Sequence, residues 1–433
     1  MQELYDTRAP NPPSRAILVG IKLRDNSMEE TEESLQELQQ LAETAGIEVV
    51  CETIQPRNAP NPTYFIGEGK VEELKPLVEE LDADAIIFDE ELSPAQNRNL
   101  ERELEVATID RTGLILQVFA QRALTKEARL QVALAQLEYA LPRLTRMWTH
   151  LSRLATGGSG SRRLRGPGET QLEMDRRWVR RNIGHVRKAL DAVEKQRHVQ
   201  RRRRSEKVKV SLVGYTNAGK STLFNMLTGE TVLAEDKLFA TLDSTTRRVN
   251  LPQNQQILLS DTVGFIKKLP HQLVAAFKAT LEEVLEADLL LHVVDVSHPE
   301  VEAQIAAVNV VLEELDATDI PMLMAFNKID RLKNEDDLQI LRSQYPEALP
   351  ISAQRGDGVP ALIDALAHRF AERGMNLSLS IPYTEGKALD LLHKHGTVLD
   401  TEYAAEAVHV KARLPNRYLK SVEQFLVSSQ ERS

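Results

Sequence analysis

The chain has 433 residues, 42% of them hydrophobic, and a net charge of −10. That length suggests two to four domains with ordinary cores. A single cysteine, Cys51, excludes a disulfide framework, and no run of 18 apolar residues is present to span a membrane.

In chain order, the N-terminus MQELYDTRAPNPPSRAILVG lacks the basic start and apolar run of a signal peptide, so a cytoplasmic protein is expected. AILVGIKL (16–23) reads as a short apolar strand, MEETEESLQELQQLAETAG (28–46) as a helix ending at Gly46, and IEVVCETI (47–54) as a strand holding Cys51 in its core. VEELKPLVEELD (71–82) is helical and DAIIFD (84–89) a strand. SPAQNRNLERELE (93–105) is a helix capped by Ser93 with Pro94 in its first turn. Strand alternating with helix argues for a parallel α/β domain over residues 1–110.

From Arg111 the pattern turns helical for nearly a hundred residues. Residues 125–154 read as one long helix kinked at Pro142, and 169–205 as a second. Their short connection makes an antiparallel hairpin over 111–205, with TGGSGSRRLRGPGETQLE at its tip. Trp148 and Trp178 lie near that tip and suit packing between the two helices, with stacking on bases as the alternative role. The charge is concentrated here. From Leu141 to Lys209 there are 20 Lys and Arg against 6 Asp and Glu, an excess of +14 that leaves −24 for the rest. Such a basic segment in an acidic chain points to a localised polyanion contact. The glycines let the tip follow a crowded RNA surface, where Arg162, Arg163 and Arg165 can meet phosphates or stack on unpaired bases. The run Arg201–Arg204 adds sequence-independent phosphate affinity.

A new domain opens at KVKVSLVGYT and runs to about Arg373 (206–373). GYTNAGKS fits G-x-x-x-x-G-K-[ST] between a strand and a helix: Gly214, Tyr215, Thr216, Asn217, Ala218, Gly219, Lys220 and Ser221. In such a loop the backbone N–H groups face the β-phosphate, Lys220 sits between the β- and γ-phosphates, and the Ser221 hydroxyl ligates Mg²⁺. ILLSDTVGF ends a strand in D-x-x-G, with Asp261 placed toward Mg²⁺ through water, Thr262 and Val263 between, and the Gly264 N–H toward the γ-phosphate. MLMAFNKID ends a strand in N-K-x-D, where the Asp330 carboxylate can accept from guanine N1 and N2. Asn327 braces that loop, Lys328 lies along the base, and Ile329 lies between. PISAQ adds Ser352, Ala353 and Gln354, with a backbone N–H near Ala353 for guanine O6. Four motifs in this order, each at a strand end on one side of a sheet, describe a GTP/GDP-binding domain. LFATLDSTTRRVNL offers three threonines for the loop that closes on Mg²⁺, Thr241, Thr245 and Thr246, and spacing does not choose among them. Ras-like hydrolases orient the attacking water with a glutamine just after D-x-x-G. Here Phe265 stands there, so slow intrinsic turnover and a stimulating surface are expected. Residues 374–433 read as a small α+β appendage of strand, helix, two strands and helix.

YFIGEGKVEEL (64–74), LSPAQNRNLER (92–102), IDRTGLILQVFAQRA (109–123), RGPGETQLEMDRR (165–177), LVGYTNAGKSTLFN (212–225), LFATLDSTTRR (238–248) and DTVGFIKKLPHQLVAAFKATLEE (261–283) together resemble the HflX family of ribosome-associated GTPases, over nearly the whole chain. The resemblance implies an α/β chain with an N-terminal parallel domain and helical hairpin, a TRAFAC-type P-loop G domain and a small C-terminal domain. It implies Thr241 as the magnesium threonine, with Lys220, Thr241 and Gly264 at the reacting phosphate. It extends the nucleotide loop to Phe239, Ala240, Leu242 and Asp243. It also implies a monomer that binds the large (50S) subunit through 23S rRNA and separates stalled or idle ribosomes, without DNA or an integral membrane anchor. The tip loop GGSGSRRLRGPGE is longer than the family pattern and richer in arginine, which bears on its contact in detail.

Overall fold

The computed structural model describes residues 13–24, 26–144, 171–201, 208–229, 238–252, 255–268, 278–332, 334–371, 374–395, 397–404, 406–415 and 419–429. The apolar run at the start becomes β1 (Arg15–Lys22), buried along its centre, as a parallel strand covered on both faces should be. It pairs with β2 (Glu48–Pro56) and β3 (Ala85–Phe88), and β3 with β4 (Ala107–Asp110), all in parallel, in the order β2-β1-β3-β4. The helices α1 (Met28–Thr44), α2 (Glu68–Glu80) and α3 (Pro94–Leu104) connect them. Ser27 and Ser93 close capping boxes with Glu30 and Gln96, which fixes where α1 and α3 begin. β4 escaped the sequence reading, because its four residues are too few to show a period. Cys51 on β2 is half-buried rather than a core residue.

Two helices follow β4, α4 (Arg111–Arg122) and α5 (Lys126–Arg143). The expected single helix to residue 154 is corrected: at Leu144 the backbone is extended, with φ −60 and ψ 120. Pro142 lies in the last turn, and buried Arg143 ties that turn to Asp110 at 2.9 Å. The long helix α6 (Gln171–Arg201) returns antiparallel to α5. Arg187 meets Glu138 near the base, and Val179 and Ile183 pack with Leu141 and Leu144 farther out. Trp178 is not in that seam but on the exposed side of α6, a correction that follows from the seam using positions 179, 183 and 186. The hairpin tip, with Trp148, Arg162, Arg163 and Arg165, lies outside the described residues, as do Arg202–Arg204.

The second sheet has the order β10-β9-β8-β5-β7-β6. Its strands are β5 (Val208–Val213), β6 (Thr245–Leu251), β7 (Gln255–Asp261), β8 (Leu289–Asp295), β9 (Met322–Asn327) and β10 (Leu349–Pro350). All are parallel except β6, which runs antiparallel to β7. The helices α7 (Lys220–Thr228), α8 (Lys278–Leu285), α9 (Val301–Glu314), α10 (Glu335–Gln344) and α11 (Val359–Ala371) accompany it. The carboxyl ends of five neighbouring parallel strands therefore share one edge, where open α/β sheets bind ligands. A third, antiparallel sheet has the order β12-β13-β11-β14. It contains β11 (Gly374–Pro382), β12 (Thr397–Tyr403), β13 (Ala407–Pro415) and β14 (Leu426–Ser429), with α12 (Gly386–His395) and the short α13 (Leu419–Val422). The sequence reading missed β14.

Each of the first two sheets has a core on one face, and a further core bridges the two units. One cluster of buried residues joins Leu35, Leu38, Leu114 and Phe119 of the N-terminal helices to Leu238, Phe239, Leu242, Val263, Phe265 and Ile266. The latter six belong to the two loops beside the phosphate-binding motif, so those loops are packed on the N-terminal unit. Among the described residues, no helix is long and apolar enough to cross a membrane.

Candidate nucleotide site

The loop between β5 and α7 needs its glycines for two reasons. Gly214 and Gly219 have φ of 148 and 92, which side chains rarely adopt. A Cβ at Gly214 would stand 2.3 Å from the Val293 carbonyl oxygen, and one at Gly219 2.2 Å from Asn327 Nδ2. The loop thus curls tightly against β8 and the N-K-x-D segment, and ends at the N-terminus of α7, which favours anions. Lys220 Nζ donates to the carbonyls of Gly214 and Tyr215 at 3.0 and 2.7 Å. Burial lowers its ammonium to about 8. A phosphate beside it would restore the charged form.

Three oxygens from three segments meet at the start of α7. Ser221 Oγ is 2.8 Å from Thr241 Oγ1 and 2.7 Å from Asp261 Oδ2, and Thr241 Oγ1 is 3.1 Å from Asp261 Oδ2. Asp261 Oδ1 is buried without a hydrogen-bond partner. Burial raises the Asp261 carboxyl, against the lowering from Ser221, Lys220 and Thr241. Hydroxyl and carboxylate oxygens with one unpaired buried carboxylate atom suit a hard divalent cation such as Mg²⁺. Thr246 is committed elsewhere, to Ser260 and Glu283. Thr245 is the first residue of β6.

Thr216, Asn217, Gly219, Lys220, Ser221, Phe239, Ala240, Thr241, Thr262 and Gly264 line one cavity. Gly264 closes its far side: a Cβ there would lie 2.8 Å from Thr216 Cα and 3.1 Å from Lys220 Nζ. Thr262 donates to the Leu212 carbonyl, and Val263 is buried. Phe265 is zipped to the loop, with Thr216 N donating to Phe265 O at 2.7 Å and Phe265 N to Gly214 O at 3.1 Å. Its ring is buried in the shared core. No water-orienting group can come from that side chain.

The base end is built by Asn327. Its Nδ2 donates to the Ala218 carbonyl at 2.8 Å, and its Oδ1 accepts from Ala353 N at 2.9 Å. The Ala353 amide expected at guanine O6 is thus engaged inside the loop. Lys328 has φ 65, and its ammonium pairs with Asp295 at 2.7 Å, leaving only its stem for a base. A hydrogen bond from Ser352, followed by Arg355 and Arg331, lowers the Asp330 carboxyl and keeps it an acceptor. Ile329 begins a short 3-10 turn, and Gln354 is an exposed residue after Ala353.

Two expected nucleotide residues face elsewhere. Leu242 is buried in the shared core, and the Asp243 carboxylate accepts from Leu124 N, Thr125 N and the Thr125 hydroxyl. The cavity wall stops at Thr241 because Asp243 is held at the start of α5. The sequence reading also missed Glu37, Arg111, Thr125 and Lys268. Glu37 bonds Tyr215 and Arg111, and Lys268 bonds Asp89 and Glu90 at 2.6 Å each. No motif marks them, since these partners lie more than seventy residues away in sequence, and Asp89, which also meets Arg111, lies 22 residues before it.

The family described as GTP-binding GTPase N-terminal matches residues 32–120, the GTP-binding GTPase Middle Region 122–204, and the 50S ribosome-binding GTPase family 209–328. GTPase HflX of Escherichia coli K12 is 47% identical over 407 residues, covering 93% of each chain. GTPase HflX of Caldanaerobacter subterraneus is 45% identical, covering 96% of this chain and 94% of its own. A crystal structure of the SsGBP and GDP complex aligns with 26% identity and a TM-score of 0.47, over 82% of this chain and 98% of that one.

Proposed function

The chain belongs to the HflX family of GTPases, and from that premise we propose that its nucleotide state controls docking on the large ribosomal subunit, that it separates stalled or idle ribosomes into subunits there, and that the ribosome stimulates its GTP hydrolysis. The observation that carries this reading is a nucleotide site packed on a unit with a basic arm. α6 exposes Arg176, Arg177, Arg180, Arg181, Lys188 and Lys195, and the exposed Arg187 also meets Glu138 of α5. Such a row suits rRNA phosphates, and the tip arginines Arg162, Arg163 and Arg165 would extend it. The match to a ribosome-binding GTPase family supports the same partner. The chain would act as a cytoplasmic monomer whose domains divide near residues 110, 205 and 373.

In the proposed reaction the loop Gly214–Ser221 holds the β-phosphate with its amides, and Lys220 spans the β- and γ-phosphates. Ser221 and Thr241 would hold Mg²⁺, with Asp261 behind them. When bound, the ion neutralises charge that builds on the phosphate oxygens. The Gly264 amide faces the γ-phosphate position, and Asp330 accepts from guanine. The buried Phe265 side chain directs no water, so the large subunit is expected to complete the site. The test is sedimentation of intact ribosomes with the full chain and GTP or GDP. GTP should convert intact particles to subunits and GDP should not. Ribosomes equally intact under both nucleotides would overturn the reading.

A further inference from the structure

We propose that Thr125, at the start of α5 in the N-terminal unit, is a positioning residue for GTP hydrolysis: it holds Asp243 and so sets Thr241 in the magnesium position. The loop is fixed on both sides of Thr241. Two residues before it, Phe239 has φ 54, a conformation costly for a bulky side chain. Its ring meets Phe119 of α4 edge to face at 4.6 Å and 73°, and both rings are buried. Two residues after it, the Asp243 carboxylate receives Leu124 N at 2.9 Å, Thr125 N at 3.0 Å and the Thr125 hydroxyl at 2.5 Å. Those amides precede the first turn of α5, where a carboxylate is favoured. The Thr125 hydroxyl also accepts from Ala128 N, so its proton is directed at Asp243. Both anchors belong to the N-terminal unit, whereas the Thr241 hydroxyl between them meets Ser221 and Asp261 of the nucleotide domain. Thr241 is thus held in place through Phe119 and Thr125, neither of which lines the nucleotide cavity.

The consequence concerns GTP more than GDP, because γ-phosphate and Mg²⁺ contacts order the loop that carries the magnesium threonine. The test uses the full chain with Thr125→Ala, Thr125→Ser, Asp243→Ala and the double variant Thr125→Ala/Asp243→Ala. Single-turnover hydrolysis is measured, and the Mg²⁺ dependence of binding a fluorescent non-hydrolysable GTP analogue is read separately. Thr125→Ala should slow hydrolysis about tenfold and raise the Mg²⁺ needed for half-maximal analogue binding by a similar factor, with GDP affinity within about twofold of the parent. Thr125→Ser should restore both. Thr125→Ala also removes the cap of α5, a loss that does not involve Asp243. The double variant separates the two effects: it should be no slower than the slower single variant. A Thr125→Ala protein with unchanged rate and Mg²⁺ dependence would overturn the proposal. So would losses that multiply in the double variant, failure of serine to rescue, or GDP affinity falling in step with hydrolysis.

Discussion

At the base end of the pocket, Asp330 keeps its charge through the Ser352 hydroxyl, and that charge would accept two guanine N–H groups. Asp330→Asn removes charge-assisted bonds that contribute about 3 kcal/mol together, or roughly 100-fold in GDP affinity, and should favour xanthine nucleotides. Titration with fluorescent GDP and XDP checks this, and unchanged GDP affinity would remove Asp330 from the base pocket. At the phosphate end, Lys220 titrates at about 8 because it is buried. Bound phosphates stabilise its charged form and so raise that value. Binding must then take up a proton above pH 8 but not below it. GDP affinity should be level from pH 7 to 8 and fall by up to about tenfold per unit above it. Calorimetry at pH 8.5 in two buffers of different ionisation enthalpy should register that proton uptake. Affinity that stays level to pH 9 would contradict the assignment.

At the scale of elements, a buried ionic network ties the N-terminal strands to the nucleotide loops. Arg111, at the junction of β4 and α4, is 2% exposed and meets Asp89 at 2.7 Å and also Glu37. Burial would raise the Asp89 carboxyl, but Arg111 and Lys268 outweigh it and hold it low. Glu37 accepts from the Tyr215 hydroxyl, which in turn accepts from Lys267 N at 2.7 Å. A change at Arg111 leaves two carboxylates in the interface without their main counter-charge. Arg111→Met should therefore destabilise the protein by about 3–5 kcal/mol, although methionine fills much of the space. Denaturant unfolding measures it, and a loss below about 1 kcal/mol would mean that water reaches the network freely.

At the scale of the molecule, the shared core changes what truncation can test. Removing residues 1–205 would strip the cover from Phe239, Leu242, Phe265 and Ile266, all buried in the intact chain. The fragment should self-associate and lose GTP hydrolysis even where it retains GDP. A monomeric fragment hydrolysing at the parent rate, by size-exclusion and turnover assays, would show the two units to be independent. The basic tip is better tested in the full chain. Replacing Arg162, Arg163 and Arg165 with alanine should leave GDP affinity unchanged, weaken ribosome binding, and lower its salt-dependence slope by roughly one unit per lost phosphate contact. A slope equal to the parent's would make the tip a connector only.

The P-loop, D-x-x-G and N-K-x-D segments were legible because each depends on neighbours in the chain: a strand, a turn that only glycine can make, and a helix start. Ser93 was an equally local signal, and its capping box formed, whereas the matching box at Ser27 was not read from the sequence. The hydrophobic period located β1, β3 and α1 but missed the short β4 and β14. Periodicity also ran the α5 pattern past Arg143, where a buried contact to Asp110 and the extended backbone at Leu144 end the described helix. Other features depend on partners far away in sequence. Asp243 reads as part of a nucleotide loop until Thr125, 118 residues earlier, is folded against it. Phe265 reads as a missing glutamine, and only packing shows its ring inside a core shared by two units. Local motifs are determined by the sequence alone because their partners are close along the chain. How the switch loops are held was decided by tertiary structure, because burial and long-range pairing, not residue type, place those side chains.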